Sequence, residues 1–396
     1  MNDVEKLKQS VAGQIEARRE KLIRIADTLH ANPEVAFEEY ESAALLCSVL
    51  EEAGFAVERE VADLATAFVA TANGQEGGPT VAILAEYDAL PGLGHACGHN
   101  LIGAAAVGAG LALQTLLPGL PGTVHVIGTP AEEGGGGKAF MVDAGLFQGV
   151  DAAMMFHPSS KNLLGRTSLT SYKLSIEFHG KPAHAAARPD EGINALDAMI
   201  LTFNAIGALR QHLRDDARIH GVITHGGDAP NIVPEYAAAR FYVRAADVPY
   251  TNQVLDKVRA CAEGAARATG ARLEFGEYAP RYENRLPNPH LCTLAEANLA
   301  ALGRSLDEPE PRMGSSDMGN VSQVVPSIHP YIAIGPEEMG GHTEDFCAAA
   351  GSPAGHRGML DGAKLLAMTA IDLLADPANV AEARRTFQSQ RAAQGG

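Results

Sequence analysis

Thr80-Val81-Ala82-Ile83-Leu84-Ala85, then Glu86-Tyr87-Asp88-Ala89-Leu90-Pro91, then His95-Ala96-Cys97-Gly98-His99-Asn100: the reading of this stretch decides the fold. Val81 to Leu84 is an unbroken apolar run of the kind buried on both faces of a parallel sheet. Polar and metal-capable residues begin where that strand ends, and Asn100 can cap a helix running to about Leu117. Gly103, Ala104, Ala105, Ala106, Gly108 and Ala109 permit close packing of that helix on the sheet. Strand, polar turn and helix in this order imply an α/β fold, which gathers its chemistry beyond the carboxyl ends of its strands.

Outward from this stretch, strand and helix signals alternate. Helical periodicity covers 3–30 and 39–52, with Gly54 as a stop, while 66–71, 123–129 and 152–157 carry strand signals. The pattern changes near Ser168. Residues 172–178 alternate with period two, and after them come a helix over 193–213, strands over 218–225 and 237–244, a helix over 251–269 and a strand over 272–278. Strand-helix-strand-strand-helix-strand is the order of a ferredoxin-like unit. Pro287 and Pro289 mark the return of the α/β pattern, with a helix over 291–302, a strand over 328–334 and a long helix over 358–374. The expected organisation is a mostly parallel α/β domain of residues 1–167 and 284–396, interrupted by an inserted α+β domain of residues 168–283.

Composition bounds the function classes. With 396 residues, 46% hydrophobic and 20% charged, the chain is long enough for two domains and a sizeable core. The longest apolar stretch, 101–117, is broken by Gly103, Gly108, Gly110 and Gln114 and ends at Pro118, which makes a poor membrane span. The start of the chain is polar and acidic, without an apolar export segment, so a cytoplasmic location is expected. Five widely spaced cysteines without a CxxC imply reduced thiols. A net charge of −17 repels nucleic acid and anionic lipid, so any anionic substrate group must meet a local positive site.

Chemistry-bearing residues collect at strand ends and in Gly/Pro-rich turns. Cys97-Gly98-His99 stands at a helix start, where the dipole favours a thiolate and Gly98 lets two side chains turn to one point. Taken alone, a buried Cys beside a helix-start His fits equally well. Glu132 and Glu133 follow a buried strand, and adjacent carboxylates there repel unless a cation or a shared proton relieves them. One can bind metal while the other moves protons. The glycines before Lys138 suggest a phosphate loop, but Ala139 breaks the GxxxxGK[ST] pattern. His157, stopped by Pro158, and His342, in a glycine-rich loop, are each as compatible with an ordinary hydrogen-bonded or exposed His. Together these side chains imply a metal-dependent hydrolase.

Residues 86–91, 95–100, Pro130-Ala131-Glu132-Glu133, His157-Pro158 and Gly341-His342 together resemble the M20 metallopeptidase and amidohydrolase family. Gly180-Lys181-Pro182-Ala183-His184, Pro230-Asn231-Ile232-Val233-Pro234 and Arg244 resemble the lid domain of that family. The resemblance implies a catalytic domain holding two divalent metal ions (Zn, Mn or Co) on Cys97, His99, Glu133, His157 and His342. It also implies Glu132 as general base on a metal-activated water, Asp88 as the orienter of a ligand, and an inserted ferredoxin-like lid that makes a homodimer. His184, Asn231 and Arg244, with Ser316 as a further candidate, would then contact substrate. Asn100 departs from the usual Cys-Gly-His-Asp, and with Glu86-Tyr87-Asp88 and the four glycines it brings the chain nearer to aminobenzoyl-glutamate hydrolases and related dipeptidases. The expected reaction is hydrolysis of an N-acyl amino acid or dipeptide. The rivals are deamination or another hydrolysis of a small aromatic substrate, and a silent peptide-binding protein.

Overall fold

A computed structural model of the chain describes residues 3–309 and 314–394. It forms two compact units, Met1–Thr167 with Arg285–Gly396, and Ser168–Asn284. In chain order the strands are β1 Ala56–Arg59, β2 Phe68–Asn73, β3 Gln75–Ala85, β4 Pro121–Gly128, β5 Ala152–Met154, β6 His157–Ser159, β7 Thr170–His179, β8 Arg218–His225, β9 Tyr236–Ala245, β10 Arg272–Glu277, β11 Ser327–Ile328 and β12 Tyr331–Ala333.

The first unit is built on a six-stranded sheet of order β1-β2-β4-β3-β5-β11. β4, β3, β5 and β11 run parallel, while β1 and β2 extend the sheet antiparallel at one edge. Val81, Ala82, Ile83 and Leu84 are fully buried at its centre, as a strand covered on both faces requires. Helix His99–Gln114 is buried over nearly its whole length. It lies so close to the sheet that a Cβ on Gly110 would stand 2.5 Å from Val126 Cγ2.

Several local expectations are corrected. The helical run over 3–30 breaks at Arg18 (φ −102°, ψ 8°) into Asp3–Ala17 and Arg19–Ala31. Asn100 does not cap: the cap is Gly98, two residues earlier, and the buried Asn100 amide donates instead to the Ala26 and Ala350 carbonyls. The apolar runs over 152–157 and 328–334 each divide. Their first halves complete the main sheet, and their second halves leave it to pair as β6 and β12 in a separate two-stranded ribbon. The long final helix starts at Pro353, capped by Ser352, and a further helix, Pro377–Ala393, follows it.

The second unit is a four-stranded antiparallel sheet of order β10-β7-β9-β8, with helices Ala195–Leu209 and Val248–Thr269 packed on one face. With the strands counted within the unit this is 4-1-3-2, the ferredoxin-like arrangement. The period-two pattern has its expected meaning. Tyr172, Leu174, Ile176 and Phe178 are buried, and the residues between them are not. No helix among the described residues is long and apolar enough to cross a membrane.

Candidate active site

Four chain segments meet at the carboxyl ends of the parallel strands. β3 leads into Asp88 and the Cys97 turn, β4 into Glu132 and Glu133, and β5 through a short break into His157. The fourth segment, the loop with His342, is tied to the Cys97 turn by the His342 amide, which donates to the Ala96 carbonyl at 3.0 Å. His342 has φ 59°, an uncommon backbone state for a non-glycine residue that tends to mark functional sites. Gly98 has φ 77°, and a Cβ there would lie 2.4 Å from Pro158 Cγ. Gly98→Ala is therefore expected to cost about 1–3 kcal/mol from strain and overpacking. The same substitution should weaken metal binding measured by titration calorimetry, and wild-type affinity would show that this backbone does not fix the donors.

The side chains at this point form overlapping groups that could hold cations. Cys97, His99 and His157 each offer a ligand atom within 4.8 Å of the others, and Cys97, Glu133 and His342 form a second such trio sharing the thiol. The Asp88 carboxylate accepts from His99 Nδ1 at 2.8 Å, and His157 Nδ1 donates to the Pro158 carbonyl at 2.7 Å. Both imidazoles therefore turn Nε2 toward the cluster, with His157 Nε2 3.4 Å from Cys97 Sγ. His99 Nε2 is buried 3.9 Å from Glu133 Oε1 and 3.4 Å from Glu86 Oε2. His342 Nε2 stands 3.2 Å from Glu133 Oε1 as an ion-pair contact. Divalent cations suit this mixed thiolate, imidazole and carboxylate set.

Electrostatics agree with that fit. Burial opposes a charge on His99, but Asp88, Cys97 and Glu86 outweigh it and raise its pKa well above the usual value, so the surroundings demand positive charge at Nε2. Burial followed by the Glu133 charge pushes the Cys97 thiol well up. The helix start by itself therefore does not make the thiolate that the sequence suggests; a bound cation would favour it. Burial lowers His157 to about 4, which leaves it neutral and able to ligate at neutral pH.

The two adjacent carboxyls are driven apart. Burial, then Glu133, Glu86 and Asp317, raise Glu132 well above the carboxylate range. Glu133 is also penalised by burial, but His342 and His99 overcome this and hold it below that range. Opposite shifts in neighbouring groups are how acid/base and ligand roles separate. Beside them lies a feature that sequence reasoning misses. Lys138 is fully buried, with Nζ 2.5 Å from Glu86 Oε1 and 2.7 Å from Asp317 Oδ1. Glu86, Glu132 and Asp317 each offer an oxygen within 4.8 Å of the others, so this ammonium stands where the carboxylates crowd. The GxxxxGK pattern asks only whether Lys138 binds phosphate, and its partner Asp317 lies 179 residues away.

A cleft of about 430 Å³ opens over the donors, lined by Cys97, His157, Arg166, Tyr331, His342 and Phe346 among others. Ser316 is buried, and its hydroxyl accepts from the Met318 amide at 3.2 Å; its neighbour Asp317 is the residue that joins the carboxylate cluster. The remaining candidates belong to the second unit. His184 and Asn231 occupy two paired loop segments, with the Ala185 amide donating to the Asn231 carbonyl at 3.0 Å. His184 Nδ1 accepts from the Ala186 and Ala187 amides, which leaves the proton on Nε2. Arg244 projects from β9 with its guanidinium 5.2 Å from the Tyr242 ring centroid and its Nε buried without an acceptor.

The profile of peptidase family M20/M25/M40 matches residues 82–367. The chain belongs to that family. Among curated M20 relatives, the Xaa-Arg dipeptidase of Mus musculus is 39% identical over 403 residues, covering 98% of this chain and 93% of the relative. A p-aminobenzoyl-glutamate hydrolase polypeptide of Escherichia coli is 40% identical over 281 residues, 66% of this chain and 58% of the relative. The crystal structure of the Bacillus subtilis YXEP protein, a dinuclear metal binding peptidase from the M20 family, shares the fold. Its TM-score is 0.66 at 24% identity, with 91% of this chain and 99% of that one covered. As an M20 member the chain is a metal-dependent hydrolase of amide bonds.

Proposed function

We propose that this M20 enzyme cleaves dipeptides that carry a basic C-terminal residue, with two divalent cations held by Cys97, His99 and His157 on one side and Cys97, Glu133 and His342 on the other. The observation that carries the metal assignment is the pair of donor trios sharing Cys97, with His99 Nε2 buried among the carboxylate oxygens of Glu86 and Glu133. Similarity to the Xaa-Arg dipeptidase over 98% of the chain, against 66% for the aminobenzoyl-glutamate hydrolase, supports the substrate class. A net charge of −17 favours the approach of a cationic substrate.

Divalent cations, when bound, supply Lewis acidity to water and to the scissile carbonyl. Glu132 takes a proton from the attacking water and delivers it to the leaving nitrogen. Asp88 keeps the His99 proton on Nδ1 through their 2.8 Å contact. His184, Asn231 and Arg244 are the second unit's candidates for a substrate carboxylate, to which a guanidinium and an imidazole N–H can donate. The second unit pairs two chains through β8, an edge strand on which Val222 is 62% exposed.

The test is a panel of dipeptides and N-acyl amino acids with Zn, Mn or Co returned to apo-enzyme, reading released amino acid. Release of free arginine from Xaa-Arg supports the proposal. Preference for N-aroyl glutamate would overturn the substrate class, and ammonia as sole product would overturn peptide-bond cleavage. Metal content separates the ligand roles. His342→Ala is expected to retain one cation fewer per chain than wild type, and Cys97→Ala to lose both, measured by elemental analysis after dialysis. Full occupancy in Cys97→Ala would remove the thiol from the ligand set.

A further inference from the structure

Glu39 is fully buried. Its carboxylate accepts from the Ala131 amide at 2.9 Å and from the Thr66 hydroxyl at 2.8 Å. Burial and the nearby Asp88 charge push its pKa up to about 7, so the fold carries a costly group here where an apolar residue would be cheap to place. What that group touches is the base of the turn bearing Glu132 and Glu133. Ala131 is held at φ 60°, and its carbonyl accepts from the Gly135 and Gly136 amides at 3.0 and 2.7 Å. Two residues before Glu39, Phe37 is also left-handed at φ 64°, and its ring fills the space where a Gly135 Cβ would lie 2.2 Å from Phe37 Cε2. On the far side of Glu132, the Glu133 amide donates to Asp88 Oδ2 at 2.9 Å.

The amides on both sides of Glu132 are thus each held by a carboxylate buried beneath the turn. Left-handed backbone at a non-glycine residue is unfavourable and persists only where its surroundings enforce it. A hydrogen bond to Ala131 N–H supplies that enforcement, and a misplacement of about 1 Å can cost on the order of 100-fold in rate. We propose that Glu39 is a positioning residue of the reaction: by accepting the Ala131 amide it fixes the turn that aims Glu132 at the attacking water and Glu133 at the cation site. This rests on the roles given above to Glu132 and Glu133.

Three chains separate this role from simple filling of the core: wild type, Glu39→Gln and Glu39→Met. Gln keeps a carbonyl acceptor for Ala131 N–H and an amide donor for the Thr66 hydroxyl, whereas Met keeps the length and offers no acceptor to either. Per folded, metal-loaded molecule, Gln is expected within about threefold of wild-type kcat and Met at least tenfold below it, with KM little changed. Hydrogen exchange of the Ala131 amide should be at least tenfold faster in Met than in Gln, a readout independent of turnover. Equal kcat and equal Ala131 exchange in Met and Gln would overturn the proposal. Loss of activity in Gln as deep as in Met would also overturn it, because charge rather than the held amide would then matter. A wild-type enzyme inactive on every dipeptide would sink the functional reading instead, and the exchange comparison would still decide whether Glu39 holds the turn.

Discussion

Glu132→Gln is expected to lower kcat by about 10²- to 10⁴-fold, the range for loss of a positioned general base, while leaving two cations bound. Gln matches Glu in size and can occupy the same place in the turn, so the Ala131 and Glu133 backbone anchors are untouched. What it lacks is a proton-accepting oxygen of tuned affinity. Burial and the Glu133, Glu86 and Asp317 charges raise the Glu132 pKa, which gives this carboxyl a stronger pull on a proton than an exposed carboxylate has. Gln adds no charge to the crowded carboxylates, so stability should hold, and a thermal midpoint at the wild-type value separates the fall in rate from unfolding. Measurement of kcat alongside metal content and thermal midpoint checks this. Turnover near the wild-type rate with metal retained would show that Glu132 is not the base.

How far the site is legible in the sequence follows from the range of each interaction. The 80–100 stretch announces a buried strand, a polar turn and a helix, because an apolar run covered on both faces and a run of small residues are local signals. Ligand candidates at strand ends are legible for the same reason: parallel α/β sheets offer few other places for chemistry. Local signals fail where tertiary contacts set the outcome. Asn100 looks like a cap because its residue type favours that place, yet the buried carbonyls of Ala26 and Ala350 take its amide. The strand run over 152–157 looks continuous, but a change of partner from β3 to β12 divides it. The cluster of Lys138, Glu86 and Asp317 joins residues 52 and 179 positions apart, and no pattern within one element encodes it. Glu39 is hidden differently. It looks like the first polar residue of a surface helix, and only the packing of the 129–137 turn above it makes it a buried acceptor.

Lys138→Met should destabilise the first unit by about 3–5 kcal/mol, the usual consequence of deleting one partner from a buried ionic cluster. The reason is asymmetric. Lys138 Nζ meets Glu86 at 2.5 Å and Asp317 at 2.7 Å with no exposure, and the Lys138 amide also donates to Asp317 Oδ2 at 3.0 Å. Without the ammonium, Glu86 and Asp317 face each other and Glu132 in a buried cluster that has lost the cation bound to both. Even with Lys138 present, burial lifts Asp317 to about 6, so without it at least one carboxyl must take a proton in order to stay inside. Replacing the whole group by neutral residues of similar shape should be far less harmful, since a buried ionic cluster gains little net stability over well-packed neutral groups. Lys138→Met combined with Glu86→Gln and Asp317→Asn is therefore expected to recover most of the lost stability in urea unfolding. Hydrolysis should stay impaired in the triple variant, because Glu86 Oε2 stands 3.4 Å from His99 Nε2 and its charge belongs to the electrostatic setting of the ligands. If the single Lys138→Met variant unfolds at the wild-type urea midpoint, the ammonium is not neutralising these carboxylates; if the triple variant is no more stable than the single one, packing rather than unpaired charge is what Lys138 provides.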